Sequence, residues 1–412
     1  MSKVKGKDMK KGKRIVVGIC GGIAAYKMTE LVRMLVKEGY YVRVAMTKNA
    51  LHFVSPLTLE VLSGNKVIWD MFSQEKEMEH IVWAQDSDLI LVAPATANIL
   101  GKLACGIADD FLTTLILAST AKIMVCPAMN TQMFLNPVVQ NNIQLLKNRG
   151  FIVLEPTHGE LACGTTGVGR LPEIDVIFEE IEDVLSEKDL SGIKILVTAG
   201  PTREPIDPVR FISNRSSGKM GYAIARMAKR RGAEVVLISG PTSLSPPTGK
   251  NIEVCWVETA EQMKEAVLQK WKNCDVVIKA AAVADYRPDV QSSSKIKKKD
   301  SDIVLKLKRN PDILEELGRK KDNKIIVGFA AETEDLIKNA QEKLKRKNLD
   351  MIVANDVSEK DAGFGTDTNK AVLIRKDGAI QKTGLLRKEE LANIILDKVR
   401  DLINERRSGQ AF

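Results

Sequence analysis

Twice in this chain a short apolar run ends in small residues and gives way to a helix-spaced stripe. That rhythm limits the possible folds more than any other feature. The first run covers residues 14–19 and meets Gly21 and Gly22; Ala24, Met28, Leu31 and Leu35 then recur at spacings of three and four, the buried stripe of a helix. Residues 42–46, 88–93 and 122–126 read as further buried strands. The pattern restarts at 194–199, with later strands expected at 234–238, 275–279, 324–328 and 351–353. Such alternation implies a mostly parallel sheet with helices on both faces. The expected fold is α/β, two Rossmann-like, doubly wound domains. Asp377 and Gly378, between runs at 370–375 and 380–382, signal a hairpin that adds antiparallel strands to the second sheet. The loops of the two halves differ, so this is not a sequence repeat.

A length of 412 residues suits two domains. The expected division is a basic, solvated arm at 1–13, a domain at 14–180, a charged linker at 181–192 and a second domain at 193–412. The Lys- and Gly-rich N-terminus has no apolar run behind it, which speaks against a signal peptide. No segment approaches the roughly 20 apolar residues of a membrane span. Six cysteines lie far apart without a CxxC pair, which argues against a disulfide framework or structural zinc and fits a reducing cytoplasm. The net charge of +9 arises among 53 acidic residues, and the densest basic cluster, from Lys295, lacks interleaved aromatics. The expectation is no nucleic-acid or membrane partner, a solvated surface, and anionic substrates.

In the first half, candidate ligand-binding residues gather at strand ends. Gly21, Gly22, Ile23 and Ala24 open a helix directly after a strand, where backbone N–H groups can meet a phosphate. Such a turn serves tight packing as readily as a ligand, and its spacing is not GxGxxG. Thr47 ends the next strand. Ala95, Thr96, Ala97 and Asn98, after Pro94, end a third, and Asn130 follows Cys126, Pro127, Ala128 and Met129 at the end of a fourth. Each loop alone reads as turn chemistry; together, at strand carboxyl ends, they point to one site. His80 heads a helical stretch and is open to both a structural and a catalytic reading. The same holds for Cys163, in a glycine-rich segment too irregular for core.

These residues resemble the phosphopantothenoylcysteine decarboxylase family, over about residues 14–180. The resemblance implies a flavodoxin-like flavoprotein domain that binds FMN through Gly21–Ala24, Thr47 and Ala95–Asn98. It implies hydride transfer from the cysteine moiety to FMN and back, with CO2 lost between. His80 would be an acid/base near the flavin, Asn130 would bind the substrate carboxylate, and Cys163 would supply the final proton. Gly22 departs from the pattern, since many relatives carry serine there. By analogy such sites form between subunits of a trimer.

In the second half, residues 198–221 form a long donor-rich βα loop, and no GxxxxGK[ST] phosphate loop is present. Lys279, Ala280 and Ala281 end a strand in small residues, followed by Asp285 and by Lys295. Asn310, Pro311, Asp312 and Ile313 read as a turn capping a helix. Phe329 closes another strand, and Lys343 and Lys347 share one helix face.

This half resembles phosphopantothenate–cysteine ligases of the CTP-using bacterial type, over about residues 192–400. The resemblance implies that 4′-phosphopantothenate attacks CTP to give an acyl-cytidylate and diphosphate. Cysteine then displaces CMP and forms 4′-phosphopantothenoylcysteine. Asn214 would stabilise the acyl-cytidylate, Arg210 would assist its conversion and Lys295 would serve activation. Residues 279–281, Asp285, 310–313, Phe329, Lys343 and Lys347 would form the CTP site. Mg2+ is expected with the triphosphate, its protein ligands unknown, and a homo-oligomer with dimeric ligase contacts. Two rival readings are weaker. A tandem dinucleotide-binding oxidoreductase requires GxGxxG with a downstream acid, and neither is evident; a non-catalytic flavoprotein has no need of the second half.

Overall fold

The structure is a computed structural model and describes residues 12–72, 78–162, 164–247, 249, 251–297, 304–332, 335–356 and 365–409. The basic arm therefore falls almost wholly outside the described residues. Two compact units, Met1–Leu185 and Ser186–Phe412, divide the chain.

In the first unit, β1 (Arg14–Ile19), β2 (Tyr41–Met46), β3 (Val67–Ile68), β4 (Leu89–Ala95), β5 (Lys122–Pro127) and β6 (Ile152–Val153) form one sheet in the order β3-β2-β1-β4-β5-β6. All its pairings are parallel, with Ile15 opposite both Val42 and Leu89. Without the two-residue edge strand β3, the order is the 2-1-3-4-5 of flavodoxin-like sheets; with it, the order is the Rossmann 3-2-1-4-5-6. Strand alternation divides the core in two. Ile15, Val17, Val42, Val44, Leu89 and Leu91 face one side with the helices Met28–Lys37 and Ile174–Leu185. Val16, Ala45, Ile90 and Val92 face the other with Ala97–Cys105, Phe111–Ala118 and Pro137–Asn148. An antiparallel hairpin of β7 (Thr157–Glu160) and β8 (Thr166–Arg170) follows.

The helix after β1 differs from its expected stripe. Its first turn, Ile23–Lys27, is a 3-10 helix in which Ala25, not Ala24, is buried; Met28, Leu31, Val32 and Leu35 carry the stripe onward. The segment expected as a linker also changes. Ile174, Ile177, Ile181 and Val184 are buried at helical spacing, so residues 181–185 complete the last helix of the first unit. On the far side, Leu190 and Ile193 are already buried in the second core. Replacing Ile181 with alanine should destabilise the first unit by about 2–5 kcal/mol, as for other core truncations. Urea unfolding followed by the fluorescence of Trp69 and Trp83 would show that unit's transition moved to lower denaturant.

The second unit contains β9 (Lys194–Ala199), β10 (Arg203–Pro205), β11 (Phe211–Ser213), β12 (Glu234–Ser239), β13 (Ile252–Trp256), β14 (Val276–Lys279), β15 (Tyr286–Pro288) and β16 (Leu307–Arg309). It continues with β17 (Ile325–Glu332), β18 (Met351–Asp356), β19 (Thr368–Asn369), β20 (Ala371–Arg375), β21 (Ile380–Lys382) and β22 (Leu386–Arg387). Eight of these form a mixed sheet in the order β13-β12-β9-β14-β17-β18-β20-β21, parallel up to β18. The hairpin β20–β21 closes it antiparallel, as Asp377 and Gly378 imply. The helices Lys219–Arg230 and Lys388–Gly409 cover one face; Ala260–Trp271, Ile313–Arg319 and Leu336–Arg346 cover the other. The small antiparallel pairs β10–β11 and β15–β16 stand apart from this sheet. No helix among the described residues is long and apolar enough to cross a membrane.

Candidate functional site

Each unit has a cavity at the carboxyl ends of its parallel strands. The first, of about 790 Å³, is lined by Gly21, Gly22, Ile23 and Ala24 after β1, Thr47 after β2, Thr96, Ala97 and Asn98 after β4, and Asn130 after β5. Leu161, Ala162 and Gly169 of the β7–β8 hairpin complete one wall. Ala95 does not line it: strand alternation turns Pro94 and Thr96 toward the cavity and buries Ala95 in the core. Thr96 caps the helix Ala97–Cys105, its hydroxyl accepting from Ile99 N at 3.4 Å. Asn130 caps the next short helix, its oxygen accepting from Gln132 N at 2.8 Å. Both helices present N-terminal N–H groups near the cavity.

Gly22 has extended backbone, and a Cβ there would meet only Thr96 Cγ2 at 3.7 Å and Pro94 Cγ at 3.9 Å. Serine would fit. Gly169 is the opposite case. Its φ is +140°, its carbonyl accepts from Met129 N, and a Cβ would lie 2.1 Å from Met129 O. Only glycine lets the hairpin dock so closely beside Asn130.

Among the polar lining residues that escaped the sequence reading are Lys102, Asp109 and Asp110. Lys102 bridges both carboxylates, at 2.7 and 3.2 Å. Cys20 also lines the cavity, where burial pushes its thiol up to about 12, a poor nucleophile. Cys163 lies outside the described residues. His80 is half-buried in the helix Glu79–Asp86, with its ring edge-on to Phe111 at 6.5 Å, and it does not line the cavity within this chain.

The second cavity, of about 1000 Å³, brings together Asn214, Lys279, Ala280, Ala281, Asp285, Asn310, Pro311, Asp312, Ile313, Phe329, Lys343 and Lys347. The parallel sheet explains the gathering, since residues distant in sequence share one end of it. Thr198 Oγ1 accepts from Ala281 N at 3.2 Å and Thr202 Oγ1 from Ala284 N at 3.0 Å, which fixes the small-residue loop. Asn310 ties to the same loop by donating to Ala284 O at 2.8 Å. Asp312 caps the helix Ile313–Arg319 by accepting from Glu315 N.

Positive charge dominates the floor. Burial, aided by Lys343 and Lys347, lowers the Lys279 ammonium to about 8. Lys343 donates to Phe329 O at 3.0 Å, and Lys347 pairs with Asp312 at 2.5 Å. Burial alone would raise the Asp312 carboxyl, but Lys347 and the Glu315 N–H hold it below its usual range.

Arg210 and Lys295 do not line this cavity. The buried Asp207 carboxylate, three residues upstream, binds Arg210 through Nε at 3.0 Å and Nη2 at 2.5 Å. Arg210 also donates to Ile296 O at 2.9 Å, and Ile296 N donates to Asp207 at 3.1 Å. Arg210 and the Lys295 segment are thus held together beside the site. Lys298, the end of the basic motif, lies outside the described residues.

Lys219, Asn369 and Lys388 line the cavity without having been singled out. Lys219 reaches Gly365 O at 2.9 Å and Asp367 at 2.6 Å. Lys388 is buried and donates to the carbonyls of Thr366 and Thr368; burial, then Lys219, lowers its ammonium. Lys219 sat inside the donor-rich loop and was legible. The other two arrive through the β19–β22 pair and carry no local signal.

Comparison with known proteins agrees with this division. The family model described as Flavoprotein matches residues 3–186, and that of the DNA/pantothenate metabolism flavoprotein C-terminal domain matches 190–403. The coenzyme A biosynthesis bifunctional protein CoaBC of Bacillus subtilis (strain 168) is 48% identical over 396 residues, covering 95% of this chain and 97% of that protein. Its counterparts in Vibrio parahaemolyticus and Haemophilus influenzae are 45% and 46% identical, covering 95% and 96% of this chain and 99% and 97% of theirs. With both halves matched in order and nearly end to end, the chain belongs to the CoaBC family of bifunctional coenzyme A biosynthesis enzymes, which join a decarboxylase and a ligase.

Proposed function

We propose that the second unit joins 4′-phosphopantothenate to cysteine at the expense of CTP, and that the first decarboxylates the product, 4′-phosphopantothenoylcysteine, with FMN. The observation that carries this reading is the pair of cavities, one glycine-walled and the other floored by Lys279, Lys343 and Lys347.

In the ligase, the substrate carboxylate attacks the α-phosphorus of CTP and diphosphate leaves. Lys279, Lys343 and Lys347 offset the charge that builds on the leaving group. Asn214 lines the cavity and donates to Ala282 O at 3.0 Å, which supports a role in holding the acyl-cytidylate. Arg210 and Lys295 act from the anchored loop at the rim. The amine of cysteine then attacks the acyl carbon, CMP leaves, and an amide results. No group of three or more potential metal-binding side chains occurs among the described residues. Mg2+ held by the triphosphate itself, with water and at most Asp285 or Asp312, needs no such group.

The first cavity suits FMN: it lies at a helix N-terminus and is walled by small residues. Gly21–Ala24 would hold the phosphate, and Thr47 with Thr96–Asn98 the remainder. Bound there, the flavin supplies reversible hydride transfer. Asn130 donates to the substrate carboxylate and fixes the bond that breaks. Cys163 gives its proton to the product carbon. His80 serves a site completed by another copy of the chain: exposed Met78 and Val82 flank it in sequence and support such an interface, in the trimer expected above.

The protein should purify yellow. With CTP, Mg2+, 4′-phosphopantothenate and cysteine it should release diphosphate and then CO2, and ATP in place of CTP should support much less of both. A colourless protein that releases neither product overturns the reading.

A further inference from the structure

A third cleft, of about 760 Å³, lies at the carboxyl ends of β12 and β13 and is bordered by Arg203, Thr242, Trp256 and Glu258. It borders the nucleotide cavity: Thr242 donates its hydroxyl to Ser217 O at 2.9 Å, and Ser217 lines the larger space. Arg203 is the cross-strand partner of Ser213, one residue before Asn214. The cleft thus neighbours the strand that leads into Asn214, which lines the larger space.

Its charges are unusual. Arg203 and Glu258 are joined through their backbones, Arg203 N donating to Glu258 O at 2.8 Å. Yet neither side chain makes an ion pair with the other or with any described residue. The Arg203 guanidinium instead stacks on the Phe211 ring at 4.6 Å, which fixes its plane and leaves its N–H edges to a ligand. The Glu258 backbone N–H donates to Gln262 Oε1 at 2.7 Å, and its carboxylate is exposed at the cleft. A guanidinium held against a ring and an exposed carboxylate border one cleft without pairing, and together they match the two charges of an α-amino acid. The exposed Trp256 indole adds an aromatic surface of the kind that attracts sulfur.

We propose that this cleft binds the amino acid of the ligase reaction as a zwitterion, Arg203 taking the α-carboxylate, Glu258 the α-ammonium, and Trp256 the thiol side chain. The proposal rests on the ligase reading above and goes beyond it by assigning the second substrate a place.

The test separates the two half-reactions in the full-length protein. Diphosphate release from CTP and 4′-phosphopantothenate, measured without cysteine, reports the first. In Arg203→Gln and Glu258→Gln it should continue, while KM for cysteine rises at least about tenfold and KM for CTP does not. Cysteamine, which lacks the carboxylate, is the decisive probe. The native protein should prefer cysteine, and Arg203→Gln should bring the two kcat/KM values together, with Arg203→Lys between. A variant that keeps the native KM and the native preference for cysteine overturns the cleft assignment. Absence of diphosphate release from the native protein overturns the ligase reading instead.

Discussion

Replacing Lys279 with methionine is expected to lower CTP-dependent ligation by about two orders of magnitude, the usual cost of removing one preorganised charge from a site of developing negative charge. The unit should stay folded, because the change removes an ammonium that burial penalises and keeps an unbranched chain in its place. A pH signature accompanies the loss. In the free protein the ammonium titrates at about 8, below its ordinary range, because of burial and the nearby Lys343 and Lys347. A polyphosphate stabilises the charged form, so binding takes up a proton and affinity falls as pH rises through about 8. Stability moves the other way. Between about 8 and the ordinary lysine value, the unfolded chain holds a proton that the folded one has lost, so the second unit gains stability with rising pH in that window. Calorimetry in buffers of different ionisation enthalpy should show proton uptake on CTP binding near pH 8. Lys279→Met should abolish it; unchanged uptake in that variant would assign the proton elsewhere.

Gly169→Ala is expected to abolish the flavin-dependent step and spare ligation. The added Cβ has a carbonyl oxygen, Met129 O, 2.1 Å away, on backbone that cannot retreat without breaking the Met129 N to Gly169 O bond. Overpacking of this kind costs about 1–3 kcal/mol, and a side chain at φ +140° adds a similar strain. The hairpin must therefore lift away from Asn130 and carry Leu161 and Ala162 with it. CO2 release should fall at least about a hundredfold while diphosphate release stays within about twofold, the gap a misplaced substrate-orienting wall produces. Equal loss of both activities would show that the substitution acts on the whole chain.

Much of the architecture is legible in the residues, because parallel strands buried on both faces read as continuous apolar runs. The strand expected at 14–19 and the one at 194–199 match β1 and β9 residue for residue. Within the two large sheets, the strands that escaped notice are β3 and β6, too short to hold a pattern, and β13, which is only partly buried. The first turn of the helix after β1 was misread because Ala24 and Ala25 are chemically identical and only the tighter 3-10 winding decides which one faces inward. At the candidate sites, residues that follow a strand directly were legible from position alone. Arg210 was not, because its nearest claim is Asp207, and three residues of separation in a loop do not reveal a buried carboxylate. Asn369 and Lys388 reach the second cavity from a late strand pair that no local pattern announces.

The edges of the first sheet carry a consequence for the protein at high concentration. β3 and β6 expose backbone over two residues each. So short an edge strand is a poor template for a strand from a neighbouring molecule, which guards this sheet against edge-to-edge pairing. Copies of this unit are therefore expected to meet through side chains rather than by extending this sheet.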